Sequence, residues 1–208
     1  MQHRIRLVTP DDSAAILAIY EPYIRNTAIS FETEVPSLDE FAARVEGIAA
    51  RYPFLVCEAS GAIVGYAYAS RHRERAAYRF DVDVSIYVAP EHHGTGVARA
   101  LYGRLFVFLK ELGYVNAYAG ITVPNDKSMG FHRKFCFAPI GIYHNTGYKF
   151  GRWHDVAWLE KTIRERGEHP GEVKGIGELS SGYLTSVFSL CGGDYAGKDA
   201  GNGVSRIL

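Results

Sequence analysis

Tyr87-Val88-Ala89-Pro90-Glu91-His92-His93-Gly94-Thr95-Gly96-Val97-Ala98 carries the deciding pattern of this 208-residue chain. Upstream, Phe80, Val82, Val84, Ile86 and Val88 alternate with Asp81, Asp83, Ser85 and Tyr87. That period of two predicts a half-buried strand ending at Ala89-Pro90. Downstream, Val97, Leu101, Leu105, Phe108 and Leu112 fall on one face of a helix that Gly113 stops. A strand, a glycine-bearing turn and a helix start leave unpaired backbone amides facing any anion, and the helix dipole adds to the attraction. Gly94 and Gly96 would let a diphosphate approach with no Cβ in the way. A Walker loop is excluded because no lysine follows the glycines. A dinucleotide fingerprint fails because Ala98 falls one position early for its third glycine. On spacing alone, a plain glycine turn capping a helix stays open.

Outward from this centre, strands and helices mix. Ile5 to Val8 predicts a first strand, and Thr9-Pro10-Asp11-Asp12 a capped helix start whose helix Pro22 ends or kinks. Ser37 and Glu40 form a capping box before Leu38, Phe41, Val45 and Ile48. The segment from Thr27 to Glu34 has no helical pattern and reads as a loop. Phe54–Glu58 and Ile63–Ser70 flank Ser60-Gly61 as a hairpin. Val115–Val123 predicts a strand and Asn125-Asp126 a helix start reaching about Lys134. Ile140–His144 and Val156–Lys161 predict two last strands, with a turn around Asn145 to Gly147. The order mixes hairpins with helical crossovers, which predicts a mixed α/β (α+β) domain, neither doubly wound nor a barrel.

Composition narrows the function classes. Lysine plus arginine equals aspartate plus glutamate, 23 each, so no net basic charge argues for nucleic acid. No run approaches the length of a membrane span, and the N-terminus lacks a signal-type apolar core, so a cytoplasmic location is the expectation. The three cysteines, Cys57, Cys136 and Cys191, fit neither a zinc knuckle nor a paired disulfide framework, and no metal is expected. Cys57 and Cys136 lie in apolar segments and are expected to be small buried hydrophobes. Beyond about Arg164 glycine recurs and periodicity fades. Residues 1–163 are read as the domain, and 164–208 as an appendage, either disordered or pinned through the apolar island Tyr183–Cys191.

Three ordered blocks resemble the GNAT superfamily of acetyltransferases, and most the branch that includes phosphinothricin and methionine sulfoximine N-acetyltransferases. The superfamily's pyrophosphate loop, Arg/Gln-x-x-Gly-x-Gly/Ala, is matched by His93, Gly96 and Ala98, with histidine at the first position. Asn125, Ser128, His132 and Cys136-Phe137 match a second block, with cysteine in place of a glycine. Gly147-Tyr148-Lys149-Phe150-Gly151-Arg152-Trp153-His154-Asp155-Val156 is similar to a stretch of the phosphinothricin branch, as is Phe31-Glu32-Thr33-Glu34. The resemblance covers about residues 4 to 162. It implies an acyl-CoA N-acyltransferase fold, a central mixed sheet flanked by helices, with acetyl-CoA as co-substrate.

What the resemblance implies for single residues can be set beside their plain readings. His93, Gly94, Thr95, Gly96, Val97 and Ala98 would hold the pyrophosphate, and the strand edge at Ile86 and Val88 would pair with the pantetheine arm. Asn125 and Ser128 would touch the pantetheine or its thiol region. Asp83 matches the branch's catalytic glutamate and would act as base, one methylene shorter and through water; otherwise it is a solvent-facing aspartate, and Asp81 is the rival carboxylate. His132 would protonate the thiolate, or is a hydrogen-bonded histidine at a helix flank. Arg73 and Arg75 would meet a substrate carboxylate, or form a solvated turn. Phe31 and Lys149 are candidates for the substrate wall. His154 and Asp155 are expected to fix the last strands. The implied acceptor is the α-amine of a small amino acid or analogue. Another small amine or a protein N-terminus, or a non-catalytic acyl-CoA sensor, are the alternatives. A homodimer is the one macromolecular partner kept.

Overall fold

In the computed structural model, which describes residues 3–190, seven strands form one sheet in the order β1-β2-β3-β4-β5-β7-β6. They are β1 (Arg4–Leu7), β2 (Phe54–Ala59), β3 (Ala62–Arg71), β4 (Asp81–Val88), β5 (Asn116–Val123), β6 (Ala138–Lys149) and β7 (Arg152–Thr162). Helices α1 (Ser13–Asn26), α2 (Leu38–Ala49), α3 (Val97–Leu112), α4 (Asp126–Lys134) and α5 (Ser181–Phe188) flank the sheet. Every neighbouring pair is antiparallel except β4 and β5. That parallel pair is joined by α3, the kind of crossover it requires. The expected mixed sheet flanked by helices is therefore the fold of this chain.

Alternation along the strands divides two cores. Leu55, Cys57, Val82, Val84 and Val88 pack on the face that α3 covers, with Leu101, Leu105, Phe108 and Leu112 fully buried there. Phe54, Val56 and Tyr66 pack on the opposite face, against Ile16, Ile19, Tyr20 and Ile24 of α1 and Phe41 and Val45 of α2. By the same phase, Asp83, Ser85 and Tyr87 belong to the α1/α2 face.

The capping boxes show how sequence sets local structure. Ser37 Oγ accepts from the Glu40 amide at the start of α2, while Glu40 accepts from the Ser37 amide. Asp12 accepts from the Thr9 amide at 2.7 Å, but a short 3-10 turn at Pro10–Asp12 precedes α1. Pro22 lies inside α1, which runs on to Asn26.

Two expectations are corrected here. The stretch Asn145 to Gly147 is no turn: β6 continues through it to Lys149 with a register irregularity, and the chain reverses at Phe150-Gly151, both in left-handed conformations. Asn145 sits at φ 49°, the signature of a bulge that turn-forming residues imitate. Cys136 is exposed rather than buried. It follows α4 at φ 60°, a left-handed position that turns its side chain from the core. Cys57 is buried as expected, and Cys191 lies outside the described residues.

Residues 164–172 are exposed, and residues 173–190 pack against the domain. The Lys174 amide donates to Leu112 at the end of α3, and the Ile176 amide to Arg51, both at 2.9 Å. Ile176 and Val187 are buried, and Phe188 of α5 packs edge-on to Phe108 at 5.4 Å between ring centroids. The glycines from Gly192 to Gly203 lie outside the described residues. Among the described residues no helix is long and apolar enough to cross a membrane.

Candidate active site

The parallel pairing of β4 and β5 stops early. It holds only Asp81↔Asn116, Val82↔Ala117 and Asp83↔Tyr118. Beyond that last rung β4 continues to Val88 and β5 to Val123 without pairing, so the sheet opens between them. The Ala89 amide donates to the Val64 carbonyl at 2.9 Å, which fixes the hydrogen-bond phase of β4 against β3. Tyr87, Ser85 and Asp83 turn their backbone groups toward β3, and Val88, Ile86 and Val84 turn theirs toward the opening. The backbone of Ile86 and the Val88 amide thus present an unpaired strand edge for an extended ligand.

At the end of β4 the chain enters the glycine turn. Gly94 and Gly96 have φ of 77° and 92°, values an L side chain rarely adopts. The turn uses the amides of His92, His93 and Thr95 for its own backbone bonds. Those of Gly94, Gly96, Val97 and Ala98 make none there and remain at the N-terminus of α3. A Cβ built on Gly94 or Gly96 meets open space. Unpaired amides, a helix N-terminus and an open cradle fit a phosphate-bearing ligand. His93 does not stand free in this turn. Its Nε2 lies 3.0 Å from the Val88 carbonyl and 2.9 Å from the Tyr23 hydroxyl, which itself donates to Val88.

The last rung carries the titratable groups. Asp83 Oδ1 lies 2.7 Å from His72 Nδ1. The His72 ring stacks on Tyr118 at 4.3 Å and meets Tyr78 and Trp158 edge-on. Burial pushes the Asp83 carboxyl above its usual range, while His72 and then Arg73 oppose that shift. Asp81 is occupied otherwise: it accepts from Asn116 Nδ2 at 2.9 Å. His72, Tyr118, Trp158 and Tyr23 were not singled out from the sequence. Trp158 Nε1 is buried without a hydrogen-bond partner.

The other expected residues fall as follows. His132 is buried, with Nδ1 2.9 Å from the Ser128 carbonyl and Nε2 3.1 Å from the Tyr102 hydroxyl. A carbonyl only accepts, so Nδ1 carries the proton and Nε2 receives the Tyr102 hydroxyl. Desolvation depresses its pKa. The ring has no free nitrogen for a thiolate unless one of these bonds opens. Asn125 caps α4 by accepting from the Ser128 amide. Arg73 and Arg75 are exposed and form no ion pair among the described residues.

Phe31 lies at the surface against Gly147, where any Cβ would collide with its ring. Lys149, the other wall candidate, is buried, and its Nζ donates to the carbonyls of Ile24 and Ser30 at 2.6 and 2.7 Å, a strut holding the 27–34 loop to β6. His154 Nε2 donates to the Lys149 carbonyl, and Asp155 accepts from the Asn145 amide and His144, so both fix the last hairpin as expected. No group of three His, Cys, Asp or Glu side chains suited to a metal occurs among the described residues.

Comparison with known proteins agrees with this geometry. Residues 5–158 match the acetyltransferase (GNAT) domain family. The phosphinothricin N-acetyltransferase of Alcaligenes faecalis is 36% identical over 161 residues, covering 76% of this chain and 82% of that protein. The L-amino acid N-acyltransferase MnaT of Escherichia coli is 33% identical over 165 residues, covering 79% of this chain and 96% of that protein. A solved GNAT superfamily phosphinothricin acetyltransferase from Sinorhizobium meliloti, in complex with AcCoA, superposes with a TM-score of 0.80 at 35% identity. That match covers 86% of this chain and 98% of the other.

Proposed function

This chain belongs to the GNAT acetyltransferase family, and from that premise we propose that it moves the acetyl group of acetyl-CoA to the α-amine of a small amino acid or amino-acid analogue, of the phosphinothricin or methionine sulfoximine type. One observation carries the reading. The sheet opens between β4 and β5 directly above Asp83 and ends in the Gly94–Ala98 cradle. Acetyl-CoA supplies an activated thioester when bound. The unpaired amides at Gly94, Gly96, Val97 and Ala98 would hold its diphosphate, and Ile86 and Val88 would hold its pantetheine arm in the opening. Asp83, on the α1/α2 face at the last rung, lies on the amine side and belongs to the machinery that removes the ammonium proton.

Arg73 and Arg75 support an amino-acid acceptor. Among the described residues both are exposed cations without ion-pair partners, Arg73 acts on the Asp83 carboxyl, and arginine matches a carboxylate in geometry. The relatives named for phosphinothricin and for L-amino acids support the same class. A homodimer is proposed through β6, the outer strand of the sheet, which exposes Ile140, Ile142 and Tyr143. The test of the reading is thiol release from acetyl-CoA across a panel of free amino acids, their sulfoximine and phosphinic analogues, simple amines and peptides with free N-termini. Turnover with amino acids or analogues and none with peptides is the expected result. Tight acetyl-CoA binding without turnover on any amine would leave a sensor instead.

A further inference from the structure

We propose that His72, not Asp83, is the group that takes the proton from the substrate ammonium, and that Asp83 is its positioning residue. The inference rests on the acetyltransferase reading above and deepens its site. The carboxylate oxygen Oδ1 of Asp83 stands 2.7 Å from Nδ1 of His72. An ionised carboxylate only accepts, so the neutral ring carries its proton on Nδ1 and keeps a lone pair on Nε2. The two nitrogens lie on opposite sides of the imidazole, so Nε2 is directed away from Asp83. It makes no hydrogen bond among the described residues, and it is not one of the sealed, unsatisfied buried atoms.

Placement makes the ring useful. Asp83 and Tyr118 form the last paired rung before β4 and β5 part. His72 bonds to the first and stacks on the second, so its ring spans that rung at the edge of the opening. Tyr118, Tyr78 and Trp158 hold it on three sides, and only 11% of its side chain is exposed. A ring so packed keeps one orientation, which is what a base needs.

Chemistry favours the ring over the carboxylate. Burial raises the pKa of the Asp83 carboxyl, but its Oδ1 is already engaged by His72 Nδ1, whereas His72 Nε2 keeps a lone pair for the ammonium proton. The charged and titratable groups around the ring are Asp83 on β4, Arg73 beside it in the loop, Tyr78 in the following turn and Tyr118 on β5. Trp158 from β7 is uncharged. In the step, Nε2 accepts one proton from the ammonium. The freed nitrogen lone pair forms the C–N bond to the acetyl carbon as its C–S bond breaks, with that electron pair staying on sulfur. The sulfur takes the proton that the acylated nitrogen loses, and Nε2 passes its own proton to water.

Two measurements test this. The first needs no turnover: 15N side-chain NMR of the histidines in the protein alone. His72 is expected as the Nδ1–H tautomer, and Asp83→Asn is expected to change its Nδ1 and Nε2 signals. A His72 signal that is Nε2–H, or unchanged in Asp83→Asn, overturns the dyad. The second is the pH profile of kcat with an accepted amine. His72→Phe keeps a ring against Tyr118 and is expected to lose about 10²-fold in kcat. It should also lose the acidic limb of the profile, with CoA affinity retained as proof of fold. Should that variant not fold, His72→Gln is read in the same way. Wild-type kcat with the acidic limb intact in the folded variant overturns the proposal. Absence of turnover on any amine by the wild-type chain defeats the acetyltransferase reading instead, and the tautomer measurement still decides the dyad.

Discussion

The hydroxyl of Tyr23 stands 2.9 Å from Nε2 of His93, and both close on the carbonyl of Val88. This joins α1 to the glycine turn across 70 residues of sequence. The turn precedes α3, so its shape decides where the free amides at Gly96 and Val97 lie. Tyr23→Phe removes one hydroxyl from a half-buried site and leaves the ring contact with Tyr87 in place. A single such bond is worth about 0.5–1.5 kcal/mol. CoA affinity by calorimetry should fall roughly 2- to 10-fold, with the amine KM unchanged. A larger effect on the amine than on CoA would place Tyr23 on the wrong side of the site.

Gly96 offers the sharper test of the cradle. A Cβ there meets nothing within 4 Å in the protein, yet its φ of 92° strains any L side chain. Gly96→Ala therefore adds a modest folding cost, about 1 kcal/mol, and puts a methyl group where the diphosphate would lie. The melting temperature is expected to drop by a few degrees, about 2–4 °C. CoA affinity should fall further than strain alone accounts for, by more than tenfold. If calorimetry returns wild-type affinity for the folded variant, the Gly94–Ala98 turn is not the phosphate site.

Much of this fold was legible where a pattern was local. The α3 stripe, Gly113 as its stop and the Ser37/Glu40 box each rest on residues within one or two turns. The last hairpin was not, because Asn145 to Gly147 has turn-forming residues that a bulge uses instead, while Phe150 at φ 51° carries no turn signal. The burial of Lys149 rests on no local pattern: the two carbonyls that hold it are 119 and 125 residues away. His72 was hidden in a run of arginines, and only the register Ser70↔Asp83 brings it to its carboxylate. The strand phase of Asp83, opposite the buried Val82 and Val84, was legible through strict alternation.

Asp12 and Asp83 should respond to pH with opposite signs. The Arg6 guanidinium, hydrogen-bonded at 2.6 and 2.8 Å, holds the Asp12 carboxyl below its usual value. Its stabilisation is present above the unfolded pKa of about 3.9 and is lost as pH falls through the lower folded value. Asp83 is raised by burial, so its contribution is full below the unfolded value and is lost as pH rises through the folded one. At pH 7, Asp12→Asn should cost about 2 kcal/mol, a drop of about 4–8 °C. Asp83→Asn should instead melt slightly higher at pH 7, an advantage that fades near pH 3, while its turnover falls. Thermal melts of the three proteins between pH 3 and 7 check both signs. Asp81→Asn should leave turnover near wild type, because that carboxylate is bound to Asn116.

The segment after Arg164 makes a prediction of its own. Ile176 and Val187 are buried, and Leu179, Leu184 and Phe188 pack partly against the same core as Phe108 and Leu112. The side chain of Arg104, in mid α3, donates to the carbonyls of Phe188 and Leu190. Ending the chain after Arg164 would strip all of these contacts and expose Phe108. Each buried side chain of this size is worth about 1.5–3 kcal/mol, so the loss should be at least about 3 kcal/mol. The urea midpoint should fall clearly below that of a chain ending after Leu190, which keeps every described contact. Gly96 lies at the opposite end of α3 from Phe108, three turns away along the helix. CoA affinity should therefore survive in the shorter chain at temperatures where it stays folded. If both truncated chains unfold at one urea concentration, the packing of α5 adds nothing to stability. If the shorter chain folds yet loses CoA, α5 sets the position of α3 and with it the cradle.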